Sequence, residues 1–273
     1  MMAPLGVRLF HLYPDAMNLY GDLGNVLTLK RRCEWRGLDF AVTDVKVGDA
    51  ADLTRSDIVF MGGGQDRGQK IVGADLLERG PALIERVENG MAALTICGGF
   101  QLFGQYFHTV DGTDIPGIGL FDAHTVGGTR RLIGNVVVDI SETSTQWAPP
   151  FSYVAAGSSD MSESSPSTLV GFENHSGLTY LGERTSPLGT VMKGYGNLGD
   201  GGAEGGWYRA AFGTYLHGSL LPKNPWFADH LIRCALRSRY GEDIELAPLD
   251  DSLESAAHRS AVARAKTAKT TSL

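Results

Sequence analysis

The apolar positions change their period along the chain, and each change marks an element. "GVRLFHL" (6–12) is a short apolar run of strand length. "GDLGNVLTLKRRCEWRG" (21–37) puts Val26, Leu29 and Cys33 three and four residues apart, which is the spacing of a helix face. "FAVTDV" (40–45) and "SDIVFMGGG" (56–64) predict strands. "ADLLERGPALIERVENG" (74–90) predicts a helix interrupted or restarted at Pro81, whose ring lacks an N–H. "MAALTI" (91–96) predicts a strand and "GFQLFGQYF" (99–107) the helix after it. Short apolar strands separated by helices predict an α/β fold, with a central, mainly parallel sheet flanked by helices.

The pattern then shifts. From Phe121 to about Val191, β-branched runs such as "NVVVDI" alternate with turns and the helical period fades. Serine and proline crowd 141–167. These features predict mixed or antiparallel strands with exposed loops on the same sheet. A glycine-dense loop follows at 195–206, then a strand in "YRAAFGTYLHG" (208–218). "NPWFADHLIRCALRSRYG" (224–241) predicts a helix with Asn224 as N-cap, Pro225 at the first turn, and Phe227, Leu231 and Cys234 on its apolar face. Past Ser252 the residues are mostly Ala, Ser, Thr and Lys. The expected organisation is one domain over 1–246 and a flexible tail over 247–273.

Composition removes several classes of function. The 273 residues carry a net charge of −7 and no long basic patch, which argues against nucleic acid as a partner. No run of about eighteen apolar residues is long enough to span a membrane, and the start lacks the pattern of a secretory signal. Three cysteines with no Cys-x-x-Cys pair argue against a disulfide framework or a thiolate zinc site, and no metal is expected. The cytoplasm is the expected compartment.

One cysteine stands apart. "LTICGGFQLFG" (94–104) runs from an apolar strand through Cys97 to two glycines and a helix. A strand, tight turn and helix make a nucleophile elbow, in which small neighbours permit a strained backbone. The helix start would favour the thiolate, which is the reactive species. An elbow usually has glycine two residues before the nucleophile; here Thr95 holds that place. Cys33 and Cys234 lie on amphipathic helix faces and read as core residues. A cysteine nucleophile needs a base. His217 in "FGTYLHGS" closes a strand before a glycine, at the sheet edge where parallel-sheet sites lie. His175 in "FENHSG" is its main rival, while His11, His108, His124, His230 and His258 have weaker contexts. The N–H of Gly98 and the glycine turn in "MGGGQD" (61–66) are candidate donors to an oxyanion.

Together these residues resemble the class I (triad) glutamine amidotransferases, in the cobyric-acid-synthase-like branch. Within that branch, the chain is similar to the glutaminase subunits of lipid II isoglutaminyl synthases, the GatD type. The segments that carry the likeness are "NLYGDLGN" (18–25), "GGGQD" (62–66), "ICGGFQLFG" (96–104), "RLIGN" (131–135), "FENHSGLTYL" (172–181), "YGNLGDGGAEG" (195–205) and "YLHGSLLPKNP" (215–225). They span roughly the first 240 residues. The resemblance implies that Cys97 attacks the side-chain amide of L-glutamine and that His217 is base and acid. It implies that Arg131, rather than the adjacent Arg130, holds the α-carboxylate, and that Gly63, Gly64 and Gly98 shape the oxyanion hole. The family commonly has a glutamate two residues after the histidine. Here Ser219 stands there, so the third triad member comes from elsewhere in the chain or from a partner, and the resemblance favours a partner. "NLYGDLGN" has no role that the sequence supplies.

Ammonia is useful only where a second site consumes it, and amidating a carboxylate requires activation by ATP. The chain has no Gly-x-x-x-x-Gly-Lys-[Ser/Thr] loop, so no cofactor is expected in it. By resemblance, ATP and Mg2+ belong to a Mur-ligase-like synthetase subunit (MurT type). That subunit would form a heterodimer with this chain and amidate the D-glutamate of the peptidoglycan stem peptide on lipid II, placing the pair in the cytoplasm at the inner face of the membrane. The competing readings are a cobyric-acid-type or other amidotransferase, a stand-alone γ-glutamyl hydrolase, and a non-catalytic module that keeps the fold.

Overall fold

The computed structural model describes residues 5–147, 167–268 and 271–272. Much of the serine- and proline-rich stretch expected to form exposed loops, residues 148–166, lies outside them. In chain order the strands are β1 (Gly6–Leu12), β2 (Asp39–Val45), β3 (Ile58–Met61), β4 (Ala92–Ile96), β5 (Tyr106–His108), β6 (Asp114–Pro116), β7 (Ala123–Asp139), β8 (Thr168–Leu181), β9 (Gly189–Lys193), β10 (Ala203–Glu204), β11 (Gly206–Tyr208), β12 (Ala211–Thr214) and β13 (Thr271–Ser272). The helices are α1 (Leu23–Glu34), α2 (Asp66–Glu88), α3 (Gly98–Phe103), α4 (Pro225–Tyr240) and α5 (Ser252–Thr267).

The expected α/β architecture is present. The first sheet runs β11-β12-β4-β3-β1-β2 and is parallel apart from the β11–β12 hairpin. Side chains alternate across its strands. Leu9, Ile58, Phe60 and Leu94 pack toward Val26 and Leu29 of α1 and Phe227 and Leu231 of α4. Phe10, Val59, Met61 and Ala93 pack toward Val72, Leu76 and Leu83 of α2 and Phe100 of α3. Both faces are therefore covered, which is why these strands read as continuous apolar runs rather than alternating ones.

Three expectations need correction. The middle strands do not join the central sheet. They build a second, mostly antiparallel sheet around the long strand β7, which pairs with β5, β8, β9 and β13. Two antiparallel runs of 17 and 14 residues satisfy each other's backbone and need no place in the parallel sheet. Next, α2 runs unbroken from Asp66 through Pro81 to Glu88. Buried Leu76 and Leu83 on either side of the proline hold the helix against the sheet, and Gly80 lies close to Ile118. Tertiary packing there outweighs the lost hydrogen bond.

Last, the flexible tail expected over 247–273 is, over Ser252–Thr267, a docked helix. Its anchor is charge. The Arg32 guanidinium, 1% exposed, donates to both oxygens of Asp229 (2.6 and 2.7 Å) and both of Asp251 (2.6 and 2.9 Å). Asp251 immediately precedes α5, so this network pins the start of the helix to α1 and α4. Further along, His258 contacts the Lys223 carbonyl (2.9 Å) and the Thr168 hydroxyl (3.0 Å), and Ala265 packs on Val137 and Val170. Among the described residues, no helix is long and apolar enough to cross a membrane.

Removing the guanidinium from between two buried carboxylates is strongly unfavourable. Arg32→Ala is expected to lower the unfolding free energy by about 3 kcal/mol and to open α5 to trypsin, as read by urea denaturation and limited proteolysis. Unchanged stability with α5 still protected would show that small-residue packing alone docks the helix.

Candidate active site

The C-terminal ends of β1, β3, β4 and β12 converge on one cavity of about 360 Å³. Cys97 stands between β4 and α3 with φ +50° and ψ −105°, a backbone conformation that L-residues rarely adopt. This is the geometry of a nucleophile elbow. The two glycines after it are required by contact. A Cβ on Gly98 would lie 2.9 Å from the Gly64 nitrogen and oxygen, and one on Gly99 would lie 2.6 Å from the Met61 carbonyl. Without them α3 could not settle against the end of β3, and the cysteine would not be raised into the cavity.

His217 follows β12 by three residues. Its backbone is fixed to the second sheet by Phe172, with N–H to carbonyl distances of 2.7 and 3.2 Å. Its ring is buried. Nδ1 lies 3.2 Å from Oδ1 of Asp22, a carboxylate with no solvent exposure whose Oδ2 accepts the Gly63 N–H at 2.7 Å. Nε2, on the other side of the ring, has no hydrogen-bond partner among the described residues. Burial opposes charge on this ring, but the Cys97 sulfur and the Asp22 carboxylate outweigh it and push its pKa up to about 10. An imidazole oriented by a carboxylate at one nitrogen, with a thiol near enough to raise its pKa, is a triad arrangement.

Asp22 bears on the question left by Ser219: a carboxylate bonded to the His217 ring is already present in this chain, which runs against the expectation that a partner brings it. It comes from "NLYGDLGN", whose Leu19 and Tyr20 also line the cavity. The segment crosses the glycine turn of 62–64, where the Leu19 N–H bonds the Gly63 carbonyl at 3.1 Å. Gly63 was expected to help shape the oxyanion hole, but its N–H is committed to Asp22. Its lack of a side chain has another cause: a Cβ there would lie 2.5 Å from Cε1 of His217. The N–H groups of Gly64 and Gly98, from two strand ends that meet at the elbow, remain the oxyanion candidates.

Arg131 lines the cavity and Arg130 does not. The register of β7 against β8 slips between Gly127 and Leu132, so residues 128–131 bulge from the ladder. Arg131 then donates to the Asn174 side chain (2.7 Å) and to the Tyr20 hydroxyl (3.3 Å). Arg130 turns to the Gly199 carbonyl and the Tyr195 ring. His175, the rival base, also lines the cavity, but its ring is stacked on Tyr215 at 3.8 Å and its Nδ1 is held by the Gly177 carbonyl. Gln101 is buried beneath the elbow, bonded to Gln69 and to Tyr215. Among the described residues, no group of three or more His, Cys, Asp or Glu side chains could hold a metal ion.

Asp22, Tyr20 and Asn174 were missed from sequence. The available signal was positional: "NLYGDLGN" lies in the loop after the first parallel strand, at the same sheet edge as Cys97 and His217.

The model of the CobB/CobQ-like glutamine amidotransferase domain matches residues 8–225. The chain is 36% identical over 251 residues to the lipid II isoglutaminyl synthase (glutamine-hydrolyzing) subunit GatD of Streptococcus pneumoniae, covering 92% of this chain and 88% of that one. It is also 36% identical over 263 residues to the subunit of the same name from Staphylococcus aureus, covering 96% and 98%. Among solved structures, a glutamine amidotransferase from Thermotoga maritima superposes with a TM-score of 0.51 at 16% identity over 96% of this chain and 99% of that one, a likeness of fold.

Because the His217 pKa lies above the ordinary 6.5, the stability that its charged form contributes is fully present below about pH 6.5 and is lost as pH rises through about 10. The ring is expected to titrate near 10 by NMR, and lower in Cys97→Ala and in Asp22→Asn. The stability advantage of wild type over Asp22→Asn should narrow across the same window. A ring that titrates near 6.5 in all three proteins would refute the coupling.

Proposed function

The chain belongs to the CobB/CobQ-like glutamine amidotransferase family, and on that premise we propose that it is the glutamine-hydrolysing subunit of a lipid II isoglutaminyl synthase. The observation that carries the reading is the buried Asp22–His217 pair beside Cys97, at the base of a cavity whose rim holds an arginine. L-Glutamine enters with its α-carboxylate toward Arg131, whose planar fork suits a carboxylate. Its side-chain amide lies over Cys97.

The Cys97 thiolate attacks the amide carbon. The carbonyl oxygen becomes an oxyanion facing the Gly64 and Gly98 N–H groups. The His217 imidazolium gives its Nε2 proton to the nitrogen, the C–N bond breaks, and ammonia leaves a γ-glutamyl thioester on the sulfur. His217, now neutral, takes a proton from water. The resulting hydroxide attacks the thioester and the thiolate leaves with the imidazolium restored; the new γ-carboxylic acid gives its proton to solvent as glutamate is released. Asp22 keeps Nδ1–H oriented throughout and stabilises the charged ring.

Both relatives are named as subunits, which implies a partner subunit. We assign to it the Mur-ligase-like (MurT-type) role in a heterodimer. It holds ATP and Mg2+, activates the D-glutamate carboxylate of the lipid II stem peptide, and receives the ammonia to give D-isoglutamine. The pair works on the cytoplasmic side, at the membrane surface where that lipid lies.

Since the acid of the triad is in this chain, the isolated chain is expected to release ammonia from L-glutamine. Cys97→Ala should reduce that release by at least about a thousandfold. Adding the synthetase subunit with ATP and lipid II should convert ammonia to amidated lipid II. Silence from the wild-type chain, alone and with the synthetase, would sink the glutaminase reading. Full activity in Cys97→Ala would sink the mechanism.

A further inference from the structure

Ser219 occupies the place where the family commonly carries the acid, and its surroundings show what it does instead. Its backbone has φ +48°, a left-handed conformation that is costly for a residue with a side chain. In that conformation its hydroxyl donates to the Gly21 carbonyl at 2.5 Å, immediately before Asp22. The fit continues into the first turn of α1. A Cβ on Gly24 would lie 2.1 Å from the Ser219 oxygen and 2.8 Å from its Cβ. Two residues on, the Leu221 N–H donates to the Asn25 side chain at 2.9 Å. The loop after His217 is therefore stitched to both sides of Asp22, at residues 21 and 25.

Asp22 needs such a tether. It lies 195 positions from His217 in sequence, and the backbone just before it is itself strained at Tyr20, with φ +56°. Strained backbone persists only where surrounding contacts over-determine it. The Gly63 N–H grips the carboxylate from below, and Ser219 grips the backbone from the side of the histidine. The Tyr20 ring, two residues before Asp22, is set edge-on to the His217 ring at 5.0 Å.

The geometry points to Ser219 as a positioning residue of the triad: its hydroxyl fixes the 18–25 segment to the histidine loop and thereby holds the Asp22 carboxylate against His217 Nδ1. In this chain the position two residues after the histidine supplies the anchor of the acid rather than the acid itself. The inference rests on the glutaminase reading of the site, but its test does not require glutamine.

The test is a double-mutant cycle of Ser219→Gly and Asp22→Asn. Glycine removes the hydroxyl and accepts φ +48° without strain, so Ser219→Gly is expected to fold, with a melting temperature no lower than that of Asp22→Asn. The readout is the rate at which iodoacetamide alkylates Cys97 near neutral pH, followed by mass spectrometry of its peptide. That rate depends on the imidazolium beside the sulfur and not on substrate binding. Alkylation is expected to slow about tenfold in Ser219→Gly and somewhat more in Asp22→Asn, and the double variant should match Asp22→Asn alone. Glutaminase kinetics should follow with a fall in kcat and little change in KM. Wild-type alkylation rates in Ser219→Gly, or effects that multiply in the double variant, would overturn the proposal. If alkylation behaves as expected while no protein releases ammonia, the positioning role stands and the glutaminase reading fails.

Discussion

The contact between Asp22 and His217 is the constraint around which this end of the molecule is arranged. A carboxylate with no solvent exposure is costly unless its oxygens are satisfied. Asp22 meets that requirement with two partners, the Gly63 N–H and the His217 ring. The two demands shape everything near them. The turn after β3 must be glycine at 63, because a side chain would strike the ring and the donated N–H must come close. The segment before α1 must cross that turn, so Tyr20 and Gly21 adopt left-handed backbone. The loop after β12 must place His217 opposite, so its backbone bonds Phe172 of the second sheet. The features that looked separate in sequence, three glycines, "NLYGDLGN" and "LHGS", are parts of one packing problem.

The same arrangement explains why two sheets are needed. The parallel sheet supplies Cys97, His217, Asp22 and the glycine turn, all from the loops that follow its strands. It does not supply the rim. Arg131 and Asn174 come from β7 and β8, where a register slip throws residues 128–131 out of the ladder and over the cavity. A regular antiparallel pair would have kept Arg131 within the ladder rather than over the cavity. The Tyr20 hydroxyl accepts from Arg131 while its ring meets His217, so one side chain touches both the rim and the base of the site.

What the sequence revealed and what it concealed divide by range. That Cys97 and His217 meet at one cavity was legible because their signals are local: an apolar strand, a sharp stop, and glycine beside the candidate residue. The parallel sheet was legible because strands buried on both faces write unbroken apolar runs. The place of Arg131 on the cavity wall was legible only through resemblance, since nothing in its neighbourhood distinguishes it from Arg130; the bulge that separates them is a tertiary event. The second sheet was hidden because strand order depends on partners far along the chain. Helix α5 was hidden for a different reason. It has few large apolar residues to announce it, and its anchorage runs through Arg32 and Asp251, which are 219 positions apart. Long-range ion pairs leave no periodic trace.

The acid illustrates that limit most sharply. A glutamate two residues after the histidine is a motif because sequence spacing alone fixes its reach. An aspartate in the first strand-to-helix loop reaches the same nitrogen only when the whole sheet has formed, since β1 and β12 are separated by β3 and β4. The Ser219 hydroxyl fills the gap between the histidine loop and the start of α1, where a Cβ on Gly24 would lie 2.1 Å from its oxygen. A small residue at 219 and a glycine at 24 therefore let the loop after the histidine lie against the segment that carries Asp22. The carboxylate bonded to His217 arrives from the loop after the first strand, at a distance in sequence that no local spacing encodes.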